Sequence, residues 1–196
     1  MSYQVLSRKW RPQIFDDVIG QYAVIQTLKN AIKEERVGHG FLFSGLRGIG
    51  KTTTARILAK ALNCRTPIEQ SPCNNCNNCK DITTGKSMDV LEIDGASNRG
   101  IDEIRELREA VKYPPSAGQF RIYIIDEVHM LTKQAFNALL KTLEEPPQHV
   151  KFIMATTDPQ KVPQTIHSRT LNFNFRRVSL EVLVNHLEKI IFSEKI

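Results

Sequence analysis

The sequence has no long uninterrupted apolar run. Its apolar stretches fall far short of the roughly 18 residues that a transmembrane helix needs, so a membrane-spanning protein is not expected. The first residues lack a basic segment followed by a long apolar run, so we expect no secretory signal and a cytoplasmic location. Cysteine is scarce, with four in 196 residues, which excludes a disulfide-rich miniprotein, and the composition also excludes collagen and coiled coil.

The chain has enough apolar material for a folded core, and its charge is unevenly distributed. Hydrophobic residues make up 41% and charged residues 24% of the chain, which is typical of a globular protein of one or two domains rather than a disordered one. Residues 1–63 hold ten Lys and Arg against four Asp and Glu, so the formal net charge of +6 lies in the first third. Such a surplus suits an acidic partner such as a nucleotide or a nucleic acid, although a solvated basic surface is the simpler explanation.

Apolar periodicity predicts strands that alternate with helices. The predicted helices are 22–35, 51–62, 101–112, 132–144 and 180–192, and the predicted strands are 41–43, 88–94, 121–126, 150–156 and 171–175. This order is typical of an α/β fold with a mostly parallel five-stranded sheet and helices on both faces. Ligands of such sheets bind at the carboxyl ends of the strands, so we expect the segments that begin at Gly45, Asp126 and Thr156 to meet in one crevice.

A glycine-rich segment follows the first predicted strand and precedes a predicted helix. It matches the pattern G-x-x-x-x-G-K-[ST] and reads Gly45-Leu46-Arg47-Gly48-Ile49-Gly50-Lys51-Thr52, with Thr53 next to it. Its glycines let backbone amides turn toward phosphate oxygens, and the helix presents its positive end to the same anion. Lys51 is expected to reach the β- and γ-phosphates, and the Thr52 hydroxyl to ligate Mg²⁺. A chance glycine-rich turn is the alternative, but the strand–loop–helix context favours the phosphate loop of a P-loop NTPase.

Further polar groups lie near the ends of later strands. Asp126 and Glu127 follow an apolar strand, where one carboxylate can hold Mg²⁺ and the other can orient or deprotonate a water; a solvated acidic turn is the alternative. Thr156 and Thr157 end the next strand, either to place a hydroxyl near a γ-phosphate or merely as β-branched strand residues. Arg169 is either a surface residue or a finger that completes a neighbouring site in trans.

All four cysteines lie in one short stretch with the spacing C-x8-C-x2-C-x2-C. They are Cys64, Cys73, Cys76 and Cys79. Four thiolates match a closed tetrahedral zinc site, and a reducing compartment disfavours disulfides. An iron–sulfur cluster and free thiols are the alternatives, but the long first gap and the missing Cys-Pro sequel favour Zn²⁺. The metal would order an insertion at about 64–79, which has few apolar residues of its own.

Six further segments complete a family pattern. They are residues 3–6, 8–12, 17–21, 125–131, 136–147 and 155–161. With the phosphate loop and the four cysteines, they make the chain resemble closely the gamma/tau subunits of bacterial DNA polymerase III, the AAA+ ATPase motors of the sliding-clamp loader. The resemblance covers nearly the whole chain, and the cysteine insertion combined with residues 136–147 makes it specific.

The resemblance implies an ATP site with a role for each matching residue. Val18 and Ile19 would lie near the adenine. Asp126 would serve Mg²⁺, and Glu127 would position the attacking water. Thr157 would be the sensor that contacts the γ-phosphate.

The resemblance also implies partners and a domain boundary. Arg169 matches the arginine of the family's Ser-Arg-Cys motif, which enters the adjacent subunit's site; the motif here reads Ser-Arg-Thr, and we expect the trans role to survive. The family's loader is a ring with delta and delta' subunits and further gamma/tau copies, and it places the beta sliding clamp on primed DNA, with no membrane involved. Residues 1–178 would form the AAA+ domain and 179–196 the start of a helical lid, truncated here.

Two other functions stay open beside this one. The resemblance also implies a nucleotide-sensing arginine in the helical lid and another arginine from a neighbouring subunit. A truncated chain on its own would lack both, so we expect weak ATP hydrolysis by the isolated chain. A non-hydrolysing scaffold subunit of the ring is one alternative, and the intact phosphate loop argues against it. Another AAA+ DNA-processing ATPase, such as a branch-migration helicase, is the second, and the cysteine insertion argues against that.

Overall fold

A five-stranded sheet forms the centre of the computed structural model, which describes residues 5–194. The strands are β1 (Gly40–Ser44), β2 (Val90–Asp94), β3 (Arg121–Asp126), β4 (Val150–Thr156) and β5 (Leu171–Asn174). Their order across the sheet is β2-β3-β4-β1-β5, and every one of these pairings is parallel. The predicted parallel α/β fold is therefore confirmed. Tyr3 and Gln4, which contribute to the family resemblance, lie outside the described residues.

Helices connect the strands and cover the sheet. Within residues 5–194 they are α1 (Leu6–Lys9), α2 (Tyr22–Lys33), α3 (Lys51–Asn63), α4 (Asn77–Thr84), α5 (Ile101–Ala110), α6 (Lys133–Glu144), α7 (Gln164–His167) and α8 (Leu180–Glu194). Single turns of 3-10 helix lie at Phe15–Asp17, Val128–Met130 and Pro159–Lys161. The start of α6 has a local cause, because the Thr132 hydroxyl accepts a hydrogen bond from the Ala135 amide at 3.2 Å as an N-cap.

The core consists of two apolar layers, one on each face of the sheet. Phe41 and Phe43 belong to the layer that includes residues of α2 and α3, whereas Leu42 belongs to the layer that includes residues of α5 and α6. Successive side chains of a strand point to opposite faces, so this short apolar run contributes to both layers. Strand β4 is buried along its whole length because it lies in the middle of a sheet with helices on both faces.

The predicted bounds agree with the structure within two residues for every predicted helix and strand. The main difference is α4, which the sequence did not predict. This helix begins inside the predicted insertion and continues past residue 79, because Ile82 is buried and the Asn78 amide donates to the Asn63 carbonyl at 2.8 Å. The insertion is therefore a cysteine-rich loop joined to a helix rather than a loop alone.

The carboxyl-terminal helix has a surface unlike that of the other long helices. None of the residues described in α8 is buried, although several are large and apolar. The boundary predicted at residue 178 precedes this helix and stays a prediction. No helix among residues 5–194 combines the length and the apolar character that crossing a membrane requires.

Candidate functional site

The phosphate loop lies between the end of β1 and the start of α3. Gly45 has φ +142°, and a Cβ there would lie 2.6 Å from the Phe175 carbonyl oxygen. Gly50, the residue before α3, has φ +99°, a left-handed backbone that L side chains rarely adopt. These two positions therefore require glycine for the turn that leads the strand into the helix.

Lys51 begins α3 and folds back over the loop. Lys51 is only 5% exposed. Its Nζ donates to the carbonyl oxygens of Gly45 at 2.8 Å and Leu46 at 2.7 Å. Burial lowers the pKa of Lys51, while the charges of Glu127 and Asp126 oppose that shift. The loop thus holds an ammonium group in place at the point where an anionic ligand would enter.

Asp126 and Thr52 bring the ends of β3 and α3 together. The Thr52 hydroxyl donates to Asp126 Oδ2 at 2.7 Å, and the Glu127 amide donates to Asp126 Oδ1 at 2.9 Å. A hydroxyl and a carboxylate at this distance offer hard oxygen ligands, which Mg²⁺ prefers. The structure therefore brings together two predicted magnesium ligands that lie 74 residues apart in the chain, and their role stays a prediction.

Glu127 joins β3 to the end of β4. Its backbone is left-handed, with φ +46°, which is uncommon for a residue other than glycine and is often found at functional sites. Glu127 Oε2 accepts from the Thr157 hydroxyl at 2.8 Å and from the Thr157 amide at 3.2 Å. His129 Nδ1 lies 3.3 Å from the same oxygen and 3.0 Å from Thr156 Oγ1. The carboxylate is held by a polar network rather than by solvent alone.

These groups line one cleft of about 980 Å³. The residues that the sequence predicts and that line it are Leu46, Arg47, Gly48, Gly50, Lys51, Thr52, Thr53, Asp126, Glu127 and Thr157. The crevice expected at the carboxyl ends of the strands is therefore present.

Five of the residues predicted for the nucleotide site do not line this cleft. Gly45 and Ile49 contact each other beneath the loop, since a Cβ on Gly45 would lie 2.6 Å from Ile49 Cδ1. Val18 and Ile19 are half-buried, and Val18 Cγ1 would be 3.9 Å from a Cβ on Gly50. Arg169 lies at another edge, where its Nη2 donates to Glu144 Oε1 at 2.8 Å. Their roles stay predictions.

Several cleft residues carried no function in the sequence. Asp94 ends β2 and is paired in register with Asp126, so the pattern of an apolar strand followed by Asp is a signal that would have found it. Trp10 and Arg11 also line the cleft, and they come from a segment without apolar periodicity. Burial lowers the pKa of Arg11, and the positive charge of Arg56 lowers it further. His129 also lines the cleft.

The four cysteines meet between α3 and α4. Cys64 directly follows α3, Cys76 directly precedes α4, and all four Sγ atoms lie within 4.8 Å of one another. Tetrahedral zinc with Zn–S bonds of about 2.3 Å separates its sulfurs by roughly 3.8 Å, so a small closure would produce that geometry. The Cys73 amide donates to Cys64 Sγ at 3.3 Å, as expected around thiolate ligands.

The thiols differ in their acidity. The Thr66 hydroxyl, followed by backbone amides of Cys76 and Asn75, lowers the pKa of Cys73 to about 5. Burial raises the pKa of Cys79. A metal that binds all four would therefore have to displace protons from the more buried thiols, which makes its affinity dependent on pH.

Comparisons with known proteins identify the family. A family model described as DNA polymerase III, delta subunit, matches residues 20–179. DNA polymerase III subunit tau of Escherichia coli (strain K12) is 54% identical over 196 residues, which is 100% of this chain and 30% of that protein. DNA polymerase III subunit gamma of Buchnera aphidicola subsp. Acyrthosiphon pisum (strain APS) is 50% identical over 196 residues, 100% of this chain and 54% of that protein. The chain belongs to the DNA polymerase III subunit family that this model describes, and over its whole length it is similar to gamma and tau subunits.

Solved structures share the fold of this DNA polymerase III family member. A gamma subunit-related protein of Thermotoga maritima matches with a TM-score of 0.54 and 27% identity, covering 80% of this chain and 46% of that one. The RuvB Holliday junction branch migration motor of Thermotoga maritima matches with a TM-score of 0.67 and 17% identity, covering 95% and 55%, which shows the fold alone. The predicted AAA+ P-loop fold is confirmed. The chain spans 30% of the tau relative and 54% of the gamma relative.

Proposed function

We propose that this chain binds ATP with Mg²⁺ and hydrolyses it as a motor subunit of the DNA polymerase III clamp loader. The observation that carries the proposal is the hydrogen bond of 2.7 Å between Thr52 and Asp126, in the cleft that Lys51 also lines. A phosphate loop, a hydroxyl and a carboxylate in one cleft are the parts that phosphoryl transfer in P-loop NTPases requires. The cleft provides all three from separate elements of the chain.

Each group has a defined task in this proposal. Backbone amides of the loop and Lys51 bind the β- and γ-phosphates, and Lys51 leaves its carbonyl partners to do so. Thr52 and Asp126 would hold Mg²⁺, which would supply positive charge to neutralise the phosphates. Glu127 orients the attacking water and accepts its proton, and Thr157 donates toward the γ-phosphate. In the structure described here Thr157 donates to Glu127, so the two side chains must separate before both can act.

Arg169 has a different task, because it lies outside the cleft of its own chain. We assign it to the site of an adjacent subunit, where an arginine stabilises the charge of the transition state. Its ion pair with Glu144 is partly exposed, with side-chain exposed fractions of 34% and 50%, so a partner can replace it at little cost. The partners in this proposal are delta, delta', further gamma/tau copies, the beta sliding clamp and primed DNA.

The cysteine cluster has a structural task. Cys64, Cys73, Cys76 and Cys79 would hold one Zn²⁺, with no open position for a water. The ion supplies the ordering energy for a loop that has few apolar residues, since metal-binding energy becomes folding energy. No catalytic step passes through it.

Nucleotide binding and ATP hydrolysis test the proposal. Lys51→Ala removes two or more charge-assisted hydrogen bonds to phosphate, each worth about 1.5–3 kcal/mol, so we expect affinity for ATP to fall about 100-fold or more. Lys133→Ala, at an exposed position of α6, is the matched control and should bind ATP normally. Circular dichroism checks that both variants fold. Unchanged ATP affinity in Lys51→Ala would overturn the assignment of the loop.

Hydrolysis separates the motor from its alternatives. We expect weak hydrolysis by the chain alone and stimulation by delta, delta', the beta clamp and primed DNA. Stimulation by a four-way DNA junction instead would favour a branch-migration motor. ATP binding without hydrolysis in any mixture would favour a scaffold subunit. Vigorous hydrolysis by the isolated chain at every protein concentration would contradict the trans role of Arg169.

A further inference from the structure

One wall of the nucleotide cleft is held in place by few contacts. Residues 5–14, here called the N-terminal arm, include no buried residue, yet Ser7, Trp10, Arg11 and Pro12 line the cleft. Without apolar burial, the position of the arm depends on polar contacts. One of these is the bond from Trp10 Nε1 to Glu194 Oε1 at 2.7 Å. Lys9 Nζ also donates to Glu194 Oε2 at 2.9 Å. A further anchor of the arm, on another element, is Gln13.

Gln13 contacts a buried lysine of the phosphate-loop helix. Lys60 of α3 is 2% exposed, and its Nζ donates to Gln13 Oε1 at 2.8 Å and to Asn74 Oδ1 at 2.8 Å. Gln13 Nε2 in turn donates to the Arg11 carbonyl at 3.0 Å. Burying an ammonium group without hydrogen-bond partners costs free energy. Lys60 therefore needs the amide oxygens of both Gln13 and Asn74 in their present positions. Lys60 therefore connects the N-terminal arm to Asn74 and to the groups that fix the position of Asn74.

Asn74 is held by the cysteine cluster. It lies between Cys73 and Cys76, and its backbone is left-handed with φ +58°. The Cys76 amide closes this turn by donating to Cys73 Sγ at 3.4 Å. Four thiolates and one divalent ion carry a net negative charge, and the positive charge of Lys60 lies next to it. Burial lowers the pKa of Lys60, and the charges of Cys79, Asp17 and Cys64 oppose that shift. A bound metal thus orders Asn74 and opposes the charge of Lys60 at the same time.

We propose that Lys60 is a positioning residue that couples the metal site in the cysteine cluster to the nucleotide cleft, through Asn74 on one side and Gln13 on the other. The coupling rests on the proposed function, since it needs both a metal and a nucleotide. Coupling between sites is reciprocal. Zinc should strengthen nucleotide binding, and nucleotide should strengthen zinc binding by the same factor.

The chain carries its own reporter for this coupling. Trp10 is its single tryptophan and belongs to the arm, so its emission reports the position of the cleft wall. The affinity for ADP with Mg²⁺ is measured calorimetrically on zinc-loaded and chelator-stripped protein. We expect stripping to weaken ADP binding about five- to tenfold, within the usual range of coupling between sites, and to shift the emission of Trp10. ADP should raise the affinity for zinc, measured against a chromogenic chelator, by the same factor.

Variants separate coupling from loss of folding. In Lys60→Met, stripping zinc should change neither ADP affinity nor Trp10 emission, whereas Lys80→Met, an exposed lysine on α4, should behave as the unmodified chain. If the stripped protein or Lys60→Met unfolds, the zinc-loaded variants Gln13→Leu and Asn74→Gly are measured instead. Glycine at position 74 can keep the left-handed backbone of Asn74. Each should weaken ADP binding, and the double variant should weaken it no further than the stronger single one.

Two results would overturn the coupling, and each differs from failure of the proposed function. Equal ADP affinity and equal Trp10 emission with and without zinc would do so, as would fully additive effects of Gln13→Leu and Asn74→Gly. If instead zinc-loaded, unmodified chain does not bind ADP at all, the proposed nucleotide function itself fails.

Discussion

Asp89 organises the loop that leads into β3, and its replacement gives a sharp test of the structure. Asp89 is only 3% exposed. Its carboxylate accepts hydrogen bonds from the Ser116 amide at 2.6 Å, the Ser116 hydroxyl at 2.9 Å and the amides of Ala117 and Gly118 at 2.7 Å each. Asp89→Asn keeps the shape but turns one acceptor oxygen into a donor, so two of these bonds lose their acceptor. Hydrogen bonds to charged groups contribute about 1.5–3 kcal/mol each. Allowing for relaxation of the loop, we expect the free energy of unfolding to fall by about 2–4 kcal/mol.

Urea unfolding at pH 7 measures this loss. Asp102→Asn is the matched control, because Asp102 is exposed and its ion pair with Arg105 at 3.0 Å is a surface pair. Such pairs contribute at most about 1 kcal/mol, so the control should change little. The slope of free energy against urea should stay the same in both variants, since neither changes the surface exposed on unfolding.

The pH dependence gives a second, independent test of Asp89. Burial raises the pKa of its carboxyl, but the amides of Ser116, Gly118 and Ala117 together outweigh burial and hold the pKa below its ordinary value. A depressed folded-state pKa means that the stabilisation is complete above the unfolded-state pKa of about 3.9 and is lost as the pH falls through the folded-state pKa. The difference between the unmodified chain and Asp89→Asn should therefore be constant from about pH 7 to 5 and shrink below about pH 4. A difference under about 0.5 kcal/mol at pH 7, or one that persists in acid, refutes the reasoning.

The remaining predictions concern the metal and the trans arginine. Metal analysis should find one zinc per chain, and removing it with a strong chelator should lower the melting temperature; an iron absorbance band would contradict the zinc assignment. Arg169→Ala should leave the free energy of unfolding within about 1 kcal/mol and ATP affinity unchanged, because its partner Glu144 is half exposed. In the mixture with the partner subunits, the same variant should lose about 10³-fold or more of the stimulated hydrolysis rate, and retention of that rate would contradict the trans role.

Local patterns predicted the elements that depend on local causes. The apolar run of β4 and the periodicity of α6 suffice for their bounds, because a buried strand and an N-capped amphipathic helix carry their signals in adjacent residues. The phosphate loop is local for the same reason, since its glycines serve a turn within eight residues. The prediction of Asp126 and Glu127 as site residues needed only the apolar strand that precedes them.

The features that the sequence did not reveal depend on distant contacts. Helix α4 has few apolar residues and is held by the carbonyl of Asn63 and by the cysteine cluster. Its sequence therefore has no apolar periodicity from which the helix could be predicted. The contact of Lys60 with Gln13 joins residues 47 apart, and nothing in the pattern of α3 distinguishes this lysine from a surface one. The wall formed by Trp10 and Arg11 is set by the same contacts. Polar anchors of this kind have no sequence period, and their partners appear only when the fold brings them together.

The strand order has a consequence for how the domain is made. Strand β1 lies between β4 and β5, and Ser44, which leads into the phosphate loop, is paired with Thr156 on one side and Asn174 on the other. Both neighbours are synthesised long after β1 has left the ribosome, and closing such distant pairings is slow. Strand β1 therefore stays without both of its sheet neighbours until β4 and β5 have been synthesised. The nucleotide binding that we propose therefore depends on a sheet that is completed late, and binding of a nucleotide by a nascent chain would mark the end of folding rather than an early step.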